Sequence, residues 1–328
     1  MSRSEDRDEL AKLILGSDVA FNATQVATEG GMSLERGQRL WRALGFPDTG
    51  DDVAYGQADV DAMKIVAGAI GSGVLDEETV FRMTRALGRT MSRLADWQVS
   101  TLVDMVEADV ESAGAGSRLG AAIELAQTGT PNFERLIIYA WRRHLAASVA
   151  RVEALGAADE ELLTSSVTVG FADLVRFTAL SNGLDDASLA SLVETFEARC
   201  TDIVTARGGR VIKSLGDAIL FVCDDAKLAT QTALDIVRQI SSRQDLPDVR
   251  VGLATGSVIN RLGDVFGPPV NLAARLTSVA RTNRVIVDKT TADALGDEFE
   301  TRTLPARALR GFGNVEPVTV SLRRNFGR

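Results

Sequence analysis

The chain has 328 residues, more than a single hydrophobic core usually organises, so about two domains are expected. Its 45 % apolar and 25 % charged residues exclude a collagen-like or largely disordered chain, and two cysteines, Cys200 and Cys223, cannot build a disulfide framework. Forty-five acidic against 36 basic residues leave a net charge of −9, which argues against a surface made to neutralise nucleic-acid phosphates while leaving room for a local basic patch.

The first ten residues, MSRSEDRDEL, are charged where a signal peptide needs an apolar stretch. No run approaches the roughly 20 apolar residues of a membrane span, since Ile65 to Leu75 is too short and too rich in glycine. A cytoplasmic protein without membrane contact is the expectation. From Glu9 to about Ala157 the apolar residues recur at helical spacing: Leu10, Leu13 and Ile14 begin the pattern, Val80, Met83 and Leu87 continue it, and Thr101 to Ser112 reads as another helix. Phe46 to Gly50 and Ala113 to Ser117 interrupt it, and a last helix from about Phe133 to Leu155 is broken by Gly156. Residues 1–157 are therefore read as an all-α domain. Within it, Gln25 to Gly45 has the form of a helix-turn-helix, with glycines in the turn and Arg36, Arg39 and Arg42 on the second helix, so a DNA-binding regulator is the competing functional class.

Residues 158–328 alternate short apolar runs with helices. Val167–Phe171, Val211–Ile212, Ala218–Cys223, Val249–Thr255 and Arg284–Asp288 read as strands; Leu189–Ala206, Leu228–Ile240 and Val270–Val279 read as helices. The pattern predicts an α+β domain, a sheet with helices on one face.

Four features of this half carry chemistry. Asp173 follows a buried strand, where a carboxylate serves either as a helix cap or as a ligand for a hard cation, and backbone N–H groups near Phe177 and Thr178 suit phosphate oxygens at a helix start. Asp217 ends Lys213-Ser-Leu-Gly-Asp217 at a hairpin; Gly and Asp are ordinary turn residues, yet a second strand-end aspartate also matches a site for Mg²⁺, which takes one or two carboxylates plus substrate phosphates. Asn271 and Arg275, four apart after Asp264, share one helix face and together suit a sugar and a phosphoryl group. Arg310 lies in a glycine-bounded loop.

Taken together these segments resemble the class III nucleotide cyclases. The resemblance covers about Ser165 to Leu322: Phe171 to Thr178 (FADLVRFT) is similar to the family's first metal motif, Lys213 to Asp217 (KSLGD) to its second, and Asp264 to Arg275 to the segment carrying base-reading and transition-state residues. It implies a ferredoxin-like catalytic domain and a homodimer with active sites shared at the interface. It further implies that Asp173 and Asp217, with the Leu174 carbonyl, bind two Mg²⁺ or Mn²⁺ ions, that Arg275 stabilises charge on the α-phosphate, and that Asn271 aligns the ribose. Arg310 stands where the family often has a phosphate-binding lysine. In the family the positions of Lys213 and Asp264 touch the base. Lysine only donates and ionised aspartate only accepts, a pair that suits adenine and opposes guanine, so the expected substrate is ATP and the product cyclic AMP. The Gly-Gly-Asp/Glu-Glu-Phe hairpin of diguanylate cyclases is absent; Leu215 to Ile219 (LGDAI) stands there.

The helical half resembles, loosely, the regulatory domains of soluble bacterial cyclases associated with pH sensing. His144 is the only histidine, and histidine titrates near neutrality, so it is the candidate sensor; a plain dimerisation scaffold is the alternative.

Overall fold

The computed structural model describes residues 3–113, 118–154, 164–261 and 263–323. Two compact units, residues 1–151 and 152–328, divide the chain. The break at Gly156 lies outside the described residues, as do 114–117.

The first unit is helical. α1 (Arg3–Leu15), α2 (Ala23–Glu29), α3 (Leu34–Leu44) and α4 (Gln57–Gly71) precede two helices of 37 residues, α5 (Glu77–Ala113) and α6 (Arg118–Ala154). Local chemistry sets the short helices. Asn22 and Gln25 form a reciprocal capping box on α2, Ser33 caps α3, and Gly45 ends α3 in the left-handed region at φ 89°. Val26, Leu40, Met63 and Phe81 make a core in which Trp41 stacks on Tyr55 with ring centroids 4.3 Å apart. The segment around Val80 and the segment Thr101 to Ser112 belong to the one helix α5, because Gly88, its only glycine, is held by packing: a methyl there would lie 2.4 Å from the Leu44 carbonyl oxygen. Likewise α6 begins fifteen residues before Phe133 and runs through Pro131, which costs a helical hydrogen bond without ending the helix.

The helix-turn-helix is present as α2 and α3, but its arginines are not offered to a partner. Arg36 bonds Glu77 at 2.7 Å; Arg39 bonds Glu77 and Glu78 and lies over the Phe81 ring at 4.2 Å. These contacts fasten α3 to α5, so two of the three cations that would meet phosphates are spent inside the unit, against the DNA-binding reading. No helix among the described residues is long and apolar enough to cross a membrane.

The second unit is built on β1 (Thr164–Leu174), followed by α7 (Phe177–Ser181), α8 (Asp186–Ala206), β2 (Arg210–Ser214), β3 (Ala218–Cys223), α9 (Ala226–Ser241), β4 (Val249–Arg261), β5 (Asp264–Phe266), α10 (Pro268–Val279), β6 (Val285–Val287), α11 (Lys289–Asp293), β7 (Phe299–Thr303), β8 (Arg307–Leu309), β9 (Gly313–Val315) and β10 (Val318–Leu322). The main sheet runs β2-β3-β1-β4-β6-β10-β7, antiparallel except for the parallel pair β4 and β6, and β8 and β9 form a separate hairpin. Its first four strands have the ferredoxin-like order. Alternation along each strand divides the interior: Ala172, Leu174, Ile219, Phe221, Val251 and Leu253 enter the core under α8 and α9, while Val167, Val169, Leu220, Val222 and Ala254 enter a second core under α10. Helices thus cover both faces, not the single face expected, because α10 is apolar along Ala273, Leu276 and Thr277 and needs a surface of its own. Cys200 and Cys223 are free and buried in the first core, which pushes their thiols up to about 12 and about 11.

Gly252 sets the approach of α10 to β4. A methyl there would meet the Thr277 backbone nitrogen at 2.4 Å and the Ala273 carbonyl oxygen at 2.6 Å, atoms that cannot rotate away. Gly252→Ala should therefore cost about 1–3 kcal/mol in urea unfolding, as overpacking does. It should also lower the activity carried by α10; an unchanged midpoint would show that α10 yields freely.

Candidate active site

β1 continues through Asp173 to Leu174, so the carboxylate projects from the strand itself. The cap reading fails: the N-cap of α7 is Arg176, at φ 62°, and no side chain caps that helix. Asp173 stands opposite Ala218 on β3 and Arg250 on β4. The Leu174 N–H donates to the Asp217 carbonyl at 2.9 Å, tying the end of β1 to the turn between β2 and β3. That turn closes with the Leu215 N–H on the Ala218 carbonyl at 2.7 Å, and Gly216, at φ 76°, supplies the left-handed residue it requires. Two carboxylates are thus held side by side by backbone bonds.

Burial raises the Asp173 pKa above the ordinary carboxylate value, the charge on Asp217 adds to the rise, and Arg250 opposes it. Arg250 donates from Nε to Oδ2 of Asp173 at 2.7 Å, and its terminal nitrogen lies 2.7 Å from the same oxygen. Oδ1 takes no part in this pair. Arg250 also donates to the Ser278 carbonyl of α10 at 3.2 Å. It is the site residue that sequence reasoning missed; the signal was a charge inside the apolar run from Val249 to Leu253, where burial requires a partner. Phe177 begins α7 half-buried against the core, with Thr178 exposed beside it.

The other expected residues gather elsewhere. Lys213, opposite Leu220 and so on the α10 side of the sheet, donates to Oδ2 of Asp264 at 2.5 Å, while the Val265 N–H holds Oδ1 at 2.9 Å. Asn271 and Arg275 are exposed on α10, whose Ala273, Leu276 and Thr277 face the sheet. Arg310 is exposed between β8 and β9, and its neighbours Leu309 and Phe312 pack into the cluster that holds Ala273 and Leu276. No hydrogen bond or ion pair among the described residues joins Asn271, Arg275 or Arg310 to either carboxylate. Contacts within the chain join Asp173, Leu174, Asp217 and Arg250 as one candidate half-site; Lys213 pairs with Asp264, and Asn271, Arg275 and Arg310 stand exposed.

Residues 161–322 match the family described as Adenylate and Guanylate cyclase catalytic domain. The chain is 40 % identical over 297 residues to an adenylate cyclase of Streptomyces coelicolor, covering 90 % of this chain and 76 % of that protein. It is 35 % identical over 334 residues to an adenylate cyclase of Glutamicibacter nicotianae, covering 97 % and 83 %. The chain belongs to the class III adenylyl cyclases. A pH-sensitive adenylate cyclase of Mycobacterium tuberculosis is also similar, 29 % identical over 296 residues, with 88 % of the cyclase chain and 73 % of that protein covered.

Cyclase domains of this class use divalent metal ions. The residues present fit such an ion: two adjacent carboxylates repel each other, the Asp173 carboxyl is held off its charged form by burial, and Oδ1 lies outside the Arg250 pair.

The raised Asp173 pKa has a stability consequence. A folded-state value above 3.8 means that the metal-free fold loses stability as pH rises through the carboxylate range. Asp173→Asn cannot ionise there. In chelator at pH 7 the variant cyclase should melt no lower than wild type, and the difference should shrink away as pH falls well below the ordinary aspartate value, where the carboxyl is neutral in both folded and unfolded chains. A variant that melts well below wild type at pH 7 would mean that the Arg250 pair outweighs burial.

Proposed function

We propose that the cyclase converts ATP to 3′,5′-cyclic AMP and pyrophosphate in the cytoplasm, at two equivalent sites shared between the chains of a homodimer. The observation that carries the base assignment is the Lys213–Asp264 pair: one side chain that only donates and one that only accepts, held together with the carboxylate anchored by the Val265 N–H. Adenine presents the acceptor and the donor that match them; guanine presents the reverse and would set donor against donor and acceptor against acceptor. The separation of the half-sites supports sharing. Asn271 and Arg275 point outward from α10, away from the sheet that holds Asp173 and Asp217, so a second copy would bring its outward face to the carboxylates of the first.

In this reading the ribose 3′-oxygen loses its proton and bonds the α-phosphorus, the bond to the β-phosphate oxygen breaks, and pyrophosphate leaves. Asp173, Asp217 and the Leu174 carbonyl would hold two Mg²⁺ or Mn²⁺ ions, which supply acidity to the 3′-hydroxyl and charge to the α-phosphate. Arg250 fixes Asp173 by its Oδ2 and leaves Oδ1 for the cation side. Asn271 orients the ribose and Arg275 stabilises the charge that grows on the phosphoryl group. Phe177 and Thr178 offer backbone N–H groups to the phosphates, and Arg310 adds a cation whose planar fork differs from a lysine's point charge.

Purified full-length protein with Mg²⁺ or Mn²⁺ should form cyclic AMP from ATP and no cyclic GMP from GTP. Asp217→Ala should abolish the product, and Arg275→Ala should lower kcat by about 10²–10³ with the fold intact. Equal use of GTP would remove the base assignment; full activity in Asp217→Ala would remove the metal assignment.

The helical unit we assign to regulation, a reading supported by the pH-sensitive relative. His144 is exposed in α6 beside Arg142 and Arg143, and none of the three has a hydrogen bond or ion pair among the described residues. His144→Ala should flatten the pH–activity curve between about pH 5.5 and 8 once the catalytic unit's own pH dependence is subtracted. An unchanged curve would take His144 out of regulation.

A further inference from the structure

Past the end of α10 one face of the sheet is uncovered. α10 packs chiefly on β4, β1 and β6, whereas β10 and β7 bury only their opposite side, through Val318, Val320 and Phe299. Thr319 pairs with Ile286 on one side and with Arg302 on the other, so all three point to the α10 face. There they line a groove of about 550 Å³, a volume typical of small-molecule sites. Four arginines line it as well, from three separate segments: Arg281 and Arg284 in the turn after α10, Arg302 on β7 and Arg307 at the start of β8.

These arginines differ from those the fold uses structurally. Arg207 and Arg238 bind Asp235, Arg243 binds Asp245, and Arg250 binds Asp173. Arg281, Arg284, Arg302 and Arg307 are all exposed, and none of their side chains has a hydrogen bond or ion pair among the described residues. One carboxylate, Glu300, shares the lining, so four cations face one anion in a chain whose net charge is −9. None of Asp173, Asp217, Lys213 and Asp264 lines the groove, although Arg281 and Arg284 also line a neighbouring cavity of about 500 Å³ that contains Arg250. Guanidinium groups crowded on a concave surface repel one another, and phosphoryl oxygens, spaced for bidentate contact, relieve that repulsion while satisfying the donors.

We propose that this groove is a second anion site that binds a polyphosphate chain, free or carried by a nucleotide, beside the catalytic cleft. The assignment rests on the groove alone and not on the reaction assigned above. The test is calorimetric titration of full-length protein in EDTA with inorganic tripolyphosphate and, in a separate arm, with ATP. Arg302→Gln/Arg307→Gln and Arg281→Gln/Arg284→Gln, on different segments, should each weaken tripolyphosphate binding by about 10-fold or more, since each removes half of the charge-assisted contacts. Arg250→Gln/Arg310→Gln, in the cleft, should change it by less than about threefold. Tighter binding of ATP than of tripolyphosphate in the same groove-dependent manner identifies a nucleotide as the ligand; equal binding identifies the polyphosphate chain itself. Absence of tripolyphosphate binding in wild type, or binding lost in the cleft variant and kept in both groove variants, would overturn the proposal. Circular dichroism melts of each variant, the four groove positions being exposed and Arg250 half-buried, separate loss of binding from loss of fold.

Discussion

Two carboxylates held close enough to repel are the constraint around which the catalytic unit is arranged. Asp173 and Asp217 are brought together where β1 runs beside β3, with the Leu174 N–H on the Asp217 carbonyl closing the pairing at the turn from β2. The fold bears the resulting charge by setting Arg250 on the next strand, in register with Asp173, with both guanidinium contacts on one carboxylate oxygen. Burial still leaves the Asp173 carboxyl above its ordinary range. A site so arranged is poorly satisfied by protein alone and well satisfied by a divalent cation bound together with phosphate oxygens, the chemistry that a nucleotide cyclase needs.

The same strands explain why one chain holds two incomplete sites. α10 must lay Ala273, Leu276 and Thr277 on the sheet, which turns Asn271 and Arg275 outward, and Gly252 lets the helix approach so closely that it has little freedom to rotate. Lys213 and Asp264 grip each other from β2 and β5, the pair to which the proposed mechanism gives the reading of the base. Packing within the chain therefore leaves Asn271 and Arg275 on an outward face, and the proposed mechanism uses that face to meet a second copy.

Much of this was legible in the sequence because it depends on local patterns. The central strands are apolar runs of high β-propensity, and Ala218–Cys223 has the same limits in the structure as in the sequence pattern. The carboxylates were visible as charges at strand ends. Elements that depend on distant partners were not. β7, β8, β9 and β10 are three to five residues long, half exposed, and defined only by what they pair with. α5 and α6 continue through Gly88 and Pro131, where local propensity predicts interruption, because tertiary contact at Gly88 and the surrounding helical turns at Pro131 outweigh it. Arg250 was overlooked because its partner is 77 residues away, and Arg36 and Arg39 suggested a DNA-reading helix because Glu77 and Glu78 are distant in sequence. In each case charge was readable and its partner was not.

The shared active site is tested most directly by mixing two inactive chains. In the proposed mechanism Asp173→Ala removes a metal carboxylate from one half-site, and Arg275→Ala removes the transition-state cation from the other. Each variant, purified alone, should form almost no cyclic AMP. Coexpressed in equal amounts with different tags, half of the dimers should be mixed and each mixed dimer should hold one intact site, restoring about a quarter of wild-type activity. Activity that stays at the sum of the two single variants, in a preparation shown to contain mixed dimers, would contradict a site built from both chains.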